Sequence, residues 1–187
     1  MTRTRSFLAI PVIGSLILGV YATCVLLTSL VGLSWNLSAP WPARLLGVPL
    51  LAYGVAMIAW VVHFRGAGPI LDSTWVTLTK LLRREPLESA AGRTEPLAVA
   101  GPYRLVRHPL YSGVDALALG IAILTDHPWA YLAAVILGAW FAFVLAPFEE
   151  RELAALFGPA YQDCMRGHRR FLPTPWRKDW VAALRAR

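Results

Sequence analysis

Between Gly101 and Gly113 the chain gathers Tyr103, Arg104, Arg107, His108 and Tyr111. A second polar cluster follows at Glu149, Glu150, Arg151 and Glu152. Cations, phenols and an imidazole opposite carboxylates are the groups that bind a charged small molecule. His108 and Tyr111 lie three apart, so on a helix both project from one side. Gly113 leaves room there for close approach. Glu149 and Glu150 are neighbours, about 100° apart on a helix, so they cannot share one job. One is free to accept hydrogen bonds from a ligand's ammonium or hydroxyls, and the other to pair with Arg104, Arg107 or Arg170. The plainer reading makes Arg107 and Pro109 a basic membrane anchor followed by a helix cap, and the glutamates a solvated charge run. Against it, an ionisable pair at a membrane edge is by default functional.

The elements that must position these clusters are membrane helices. The 187 residues are 57% hydrophobic, with a mean hydropathy of +0.52. Soluble domains are about 45–50% apolar. Four apolar stretches stand out: Phe7 to Leu33, Leu45 to Phe64, Leu110 to Leu124 and Trp129 to Phe148. A span needs about 20 apolar residues, so the third is short and rests on pairing with the fourth. The expected fold is all-α and polytopic, with four transmembrane helices in two hairpins and a cytoplasmic C-terminal helical segment. The turn Asp126-His127-Pro128 closes the second hairpin and brings both polar clusters to one membrane face. Residues 1–96 would form the first hairpin and an amphipathic loop that selects substrate. Residues 97–187 would bind the small molecule, the two parts making one membrane domain.

Within the 65–100 stretch, Asp72 or Ser73 is expected to cap a short amphipathic helix. That helix either lies on the headgroups or packs on the protein. Glu85 to Pro96 reads as a loop and Trp176 to Arg187 as a peripheral tail. Glu149 to Phe157 should continue as a helix to Gly158-Pro159. Asp115, inside the third stretch, either lines the same cavity or is neutralised by a neighbouring helix. Gly120 reads as helix–helix packing.

Charge placement fixes orientation and excludes one class of partner. Of the 18 Lys and Arg residues, all except Arg44 fall on one side of this arrangement. The positive-inside rule then puts both termini in the cytoplasm. A basic rim facing anionic headgroups accounts for the net charge of +7 without nucleic acid. The first apolar run is far longer than the 7–15-residue core of a secretory signal. The cysteines and histidines lack metal-ligand spacing, so no metal is expected.

Two stretches together resemble a known family. Gly101-Pro-Tyr-Arg, Val106-Arg-His-Pro-Leu-Tyr-Ser-Gly and then Glu149-Glu150, Leu153, Phe157-Gly-Pro-Ala-Tyr161 and Arg170-Phe-Leu-Pro173 are similar to the isoprenylcysteine carboxyl methyltransferase and phospholipid methyltransferase superfamily. The likeness covers residues 97–173, in order and spacing. It implies an integral membrane enzyme that uses S-adenosylmethionine, releasing S-adenosylhomocysteine, without a soluble Rossmann domain. His108, Tyr111, Gly113 and Tyr161 would then contact the cofactor, Glu149 or Glu150 would hold its polar groups, and the strip through Arg170 and Leu172 would close over the adenine. One departure is Cys164, where a second tyrosine is common.

Methyl transfer from a sulfonium needs a desolvated nucleophile about 3–3.5 Å from the methyl and no metal. A carboxylate acceptor, as on a prenylated cysteine, would need an orienting arginine, from Arg107, Arg104 or Arg170. An amine or thiol acceptor would use a base, Glu150 or Asp115. Sterol reductases that use NADPH share the membrane fold, but Leu110 and Val114 stand where their motif has Asn and Asp. A non-catalytic four-span module that binds lipid or a partner protein is the third reading. The expected partners are the bilayer and a lipophilic or lipidated acceptor.

Overall fold

A computed structural model describes residues 9–33, 37–83 and 97–173, which are helical with short connections. The expected loop at 85–96 and the tail from Trp176 lie outside the described residues. Helix α1 spans Ala9–Leu30, a turn α2 spans Trp41–Arg44, α3 spans Gly47–Arg65 and α4 spans Ala67–Arg83. After a 3-10 turn at Gly101–Arg104 come α5, Pro109–Thr125, and α6, Pro128–Trp140. A π-helical turn, Phe141–Leu145, joins α6 without a break to α7, Ala146–Phe157, and α8 spans Pro159–Gly167.

Local sequence explains the punctuation. Pro109 and Pro128 sit in first turns, where a missing N–H costs nothing. Helix α5 ends at Asp126 in the left-handed region (φ 57°), and α7 ends at Gly158 (φ 52°). Inside the long helix, Pro147 has no N–H for the carbonyl four residues back, at Phe143. The backbone answers just before the proline with a wider turn, the Ala146 N–H bonding to the Phe141 carbonyl.

Glycines decide which helices touch. A Cβ on Gly47 would lie 2.6 Å from the Gly120 carbonyl oxygen, and one on Gly54 would lie 2.7 Å from that of Gly113. Reciprocally, a Cβ on Gly120 would lie 2.9 Å from the Gly47 oxygen. Two glycines seven apart on α3 thus mesh with two glycines seven apart on α5, and the backbones meet as small residues allow in membrane helices. The packing role expected for Gly120 is observed. The pairing of the first two apolar helices differs from expectation. Helix α3 packs on α5, while α1 packs on α6, because the glycine faces draw α3 away from its chain neighbour.

The stretches Trp41–Arg65 and Pro128–Phe157 are long and apolar enough to cross a membrane, and Ile17–Leu30 and Pro109–Thr125 are shorter apolar helices. Leu18, Leu30, Val135 and Phe143 are largely exposed on their outer faces, a pattern that suits hydrocarbon as solvent.

Helix α4 begins at Ala67, before the expected caps, with Pro69 in its first turn. Asp72 and Ser73 therefore lie inside the helix, and the Ser73 hydroxyl bonds to the Ile70 carbonyl (3.0 Å). Of its two expected placements, packing on the protein is the one observed. Thr77 and Lys80 are buried, and Lys80 Nζ lies 2.5 Å from Glu152 Oε1. At the opposite end of the bundle, buried Asp126 accepts from Arg44 Nη2 (3.0 Å) and the Ala39 N–H (2.9 Å). Arg44 is thereby neutralised.

Candidate active site

The site starts where α5 does. Pro109 occupies the first helical position, which leaves His108 as the residue preceding the helix with its ring turned toward α7. The segment after α8 lies along this entry. Arg107 N donates to the Arg169 carbonyl (2.9 Å) and His108 N to the Arg170 carbonyl (3.0 Å). The Ser112 hydroxyl donates to the Phe171 carbonyl (2.6 Å) and meets Tyr53 Oη at 2.8 Å. These bonds satisfy backbone groups that a chain entering a helix leaves open.

The two glutamates have separate work. Glu150 Oε2 accepts from Arg170 Nη2 (2.6 Å), and its Oε1 accepts from Arg170 Nε (3.0 Å). The same Oε1 faces Arg107 Nη2 at 3.2 Å and His108 Nε2 at 3.3 Å. This forked pair, with Arg107 and the His108 ring beside it, makes Glu150 the hub that ties α5, α7 and the C-terminal strip together. Arg107 also donates Nη1 to the Met165 carbonyl (3.0 Å). Glu149 points elsewhere: its Oε1 accepts from Tyr111 Oη (2.7 Å), and its Oε2 lies 3.4 Å from His108 Nδ1.

His108 therefore stands between two carboxylates, one at each ring nitrogen. A neutral imidazole has one N–H and serves one of them, whereas an imidazolium serves both. Burial works to lower its pKa, but the hydrogen bonds and charges of Glu149 and Glu150 outweigh it and hold the ring above its ordinary value. The Arg170 pKa is raised by its bond to Glu150. The Tyr161 hydroxyl is pushed up by burial and by the charge of Glu150, so it is a phenol that can donate. Rings stack above this base: His108 on Tyr111 (5.5 Å, 10°), Tyr111 on Phe141 (4.6 Å, 13°), with Phe171 tilted against His108 at 5.9 Å. The π turn supplies Phe141 to the stack and the Ala142 carbonyl to Arg170 Nη1 (3.4 Å).

Above these groups opens a cavity of about 930 Å³, its mouth included. Arg107, His108, Tyr111, Glu149 and Tyr161 line one part of it. Val61 and Arg65 of α3, Ile70, Ser73 and Thr74 of α4, and Tyr103 line another, and Leu153 and Phe157 add apolar wall. Tyr161 is 3% exposed, and its hydroxyl has no hydrogen-bond partner. The buried Arg107 Nε likewise has none.

Five of the residues read from sequence thus converge on one cavity, while others go elsewhere. Glu150 does not line it, and its lone pairs are held by Arg107, Arg170 and His108. That leaves no place for it as a base. Arg104 is exposed at the end of the 3-10 turn and stands outside the cavity lining. Gly113 faces α3, where a Cβ would meet Ile58 and Met57, so its small size serves helix packing. Leu172 is 70% exposed and outside the lining, and Phe171 of the same strip packs on His108. Asp115 faces Gly138 of α6, also outside the lining. The sequence reading did not bring Arg65 to the cluster or join it to Tyr103, whose Oη accepts from Arg65 Nη1 (3.2 Å). Their separation of 38 positions hides that pairing from any local pattern.

Residues 87–160 match the phospholipid methyltransferase family. The matched segment holds the 101–113 run and both glutamates, in agreement with the membrane methyltransferase superfamily to which the motifs pointed. It points to methyl transfer to a lipid-related acceptor from S-adenosylmethionine. No curated protein and no solved structure matched the chain.

Proposed function

We propose that the chain is an integral membrane methyltransferase whose cavity binds S-adenosylmethionine and admits a lipophilic acceptor from the bilayer. The carrying observation is the Tyr111–Glu149–His108 bonding, which joins the two sequence clusters in one cavity wall. The residues present fit the cofactor. The cavity opens on one side to solvent. It offers a carboxylate for hydroxyls or an ammonium, cationic and phenolic donors for a carboxylate, and a stacked aromatic column for a heterocycle. When bound, S-adenosylmethionine supplies an electrophilic methyl group on a sulfonium.

The chain's own part is to bind, orient and exclude water. Glu149 holds polar hydrogens of the cofactor, and the Tyr111 hydroxyl and His108 keep that carboxylate aimed. Glu150 acts through Arg107, Arg170 and His108 as a positioning residue. Val61, Ile70, Leu153 and Phe157 keep the reacting groups in a dry setting, where a nucleophile is more reactive. In our reading α3 and α4 face the acceptor, with Arg65 as a cation able to orient an acidic headgroup, alongside Arg107. Four spans with both termini in the cytoplasm place this cavity at the membrane–cytoplasm boundary, where a water-soluble donor meets a lipid acceptor.

Two measurements on detergent-purified protein test this. Calorimetry should show binding of S-adenosylmethionine and none of NADPH. Tritium from labelled methyl groups should enter an acceptor panel holding a phosphatidylethanolamine and a farnesylcysteine analogue. Binding of NADPH in place of S-adenosylmethionine would return the chain to the reductase reading. Cofactor binding with no transfer to either lipid class would overturn the acceptor assignment.

A further inference from the structure

One ionisable group in the apolar helices belongs to no cluster. Asp115 stands six residues past Pro109 in α5, about 9 Å along the helix. Its carboxyl is only partly buried, and among the described residues no donor or cation bonds to it. It rests on α6 at Gly138, where a Cβ would stand 2.8 Å from Oδ1 and 3.3 Å from Oδ2. Glycine thus leaves the shelf that the carboxyl occupies. Leu119, one turn beyond Asp115, and Val135, one turn before Gly138, are 37% and 66% exposed. Residues three and four apart share a helix face. The carboxyl therefore opens on the outer seam of α5 and α6, outside the cavity lining.

An unpaired charge in hydrocarbon is so costly that a carboxyl there keeps its proton. A protonated carboxyl is donor and acceptor at once, so it is satisfied by a group that both gives and takes. Resting on the membrane placement proposed above, we infer that the α5–α6 seam is a dimer interface, at which Asp115 meets the partner subunit's Asp115 across a two-fold axis. The two carboxyls form reciprocal O–H···O bonds, each donating one and accepting one. Depth singles out a second copy over a foreign helix. An identical chain in the same orientation carries its carboxyl at the same height and on the same face, and a two-fold interface needs only one self-complementary patch. Leu119 and Val135 supply apolar contact beside the acid pair.

The test uses the full chain in lipid vesicles, with Cys24 and Cys164 replaced by serine and one cysteine introduced. Oxidation should link Val135→Cys to a second copy, whereas Leu18→Cys, 71% exposed on α1, should stay monomeric. Energy transfer between labelled copies, followed as added lipid dilutes them, measures the association. Asp115→Ala should weaken it about five- to thirtyfold, the scale of interhelical polar contacts in a membrane. Asp115→Asn, whose amide also gives and takes, should keep most of it. Circular dichroism on both variants separates lost association from lost fold.

Linking of both cysteines alike, or of neither, would overturn the interface, as would equal association by wild type and a folded Asp115→Ala. Infrared difference spectra between wild type and Asp115→Asn read the chemistry of the contact. A protonated-acid carbonyl band supports the acid pair, and an ionised carboxylate band overturns it in favour of a basic residue on another helix. Modification of Val135→Cys by an impermeant thiol reagent would instead sink the membrane placement on which the interface rests.

Discussion

Adjacent glutamates in one helix have opposite expected phenotypes. Glu150 is bonded to two arginines and the His108 ring and does not line the cavity, so Glu150→Gln should act on stability. Breaking one partner of a buried ion pair costs about 3–5 kcal/mol. About 3 is the expected scale here, because Arg170 is 36% exposed and solvent screens part of the effect. Glu149→Gln should melt close to wild type and lose about ten- to a hundredfold in S-adenosylmethionine affinity. Melting curves and calorimetry on both variants check the contrast, and a swap of the two phenotypes would reverse the assignment. His108 adds a pH dependence. Its folded pKa is raised above the unfolded value of about 6.5. Its contribution is therefore fully present below about pH 6.5 and lost as pH rises through the raised value. Wild-type Tm should fall over that interval, and His108→Gln should flatten the fall. Type and spacing at 101–113 and 149–150 made four of the five converging residues legible from the chain alone, and the family resemblance supplied Tyr161. The division of labour between the glutamates was not legible, because it depends on where the 169–171 strip lands.

At the scale of helices, the interlock of Gly47 and Gly54 with Gly113 and Gly120 is the main joint. Gly54→Ala would put a methyl 2.7 Å from a backbone oxygen and 2.8 Å from the Leu117 nitrogen. Neither backbone can yield without separating α3 from α5. Overpacking of this kind costs about 1–3 kcal/mol. Gly19→Ala is the control: nothing lies within 4 Å, and alanine favours a helix by about 1 kcal/mol over glycine. Unfolding titrations in mixed micelles should separate the two, and equal stabilities would refute the interlock. Gly120 announced this joint in the sequence, since a glycine in an apolar helix has few other uses. Gly113 misled, because it stands beside the reactive motif and its packing partner is 59 residues away. The start of α4 was misplaced for a similar reason. Asp72 and Ser73 look like caps, but Pro69 fits a first turn and the buried Lys80–Glu152 pair holds the helix to α7.

For the whole molecule, orientation is the open expectation. With both native cysteines replaced by serine, Ser38→Cys should react with an impermeant thiol reagent from the outer side. Asp163→Cys, 75% exposed on α8, should react only from the inner side. Labelling of both from one side would defeat the four-span arrangement. The charge pattern predicts the sidedness, with Arg44 as its one exception. Its ion pair with Asp126 explains that exception and joins residues 82 apart, beyond the reach of sequence pattern.

The π turn ahead of Pro147 has a consequence best put as phase. One additional residue in that turn winds the helix back by about 100° relative to an uninterrupted α-helix. It decides which of the two neighbouring glutamates points at the cavity and which at the arginines. Losing one residue there and losing the wider turn shift the phase by equal and opposite amounts, so a single deletion leaves everything downstream in place. Phe143 is 80% exposed, so Phe143→Ala should leave cofactor affinity unchanged. Deleting Phe143 should likewise keep Glu149 on the cavity and preserve binding. Inserting one alanine beside it has no such outlet, and should carry Phe148 to the place of Glu149 and abolish binding while the helix persists by circular dichroism. Equal binding by both variants would show that the helix absorbs such changes elsewhere. In a lineage of such proteins, loss of one residue at 141–145 would then be silent in the active site, and gain of one a change of its register.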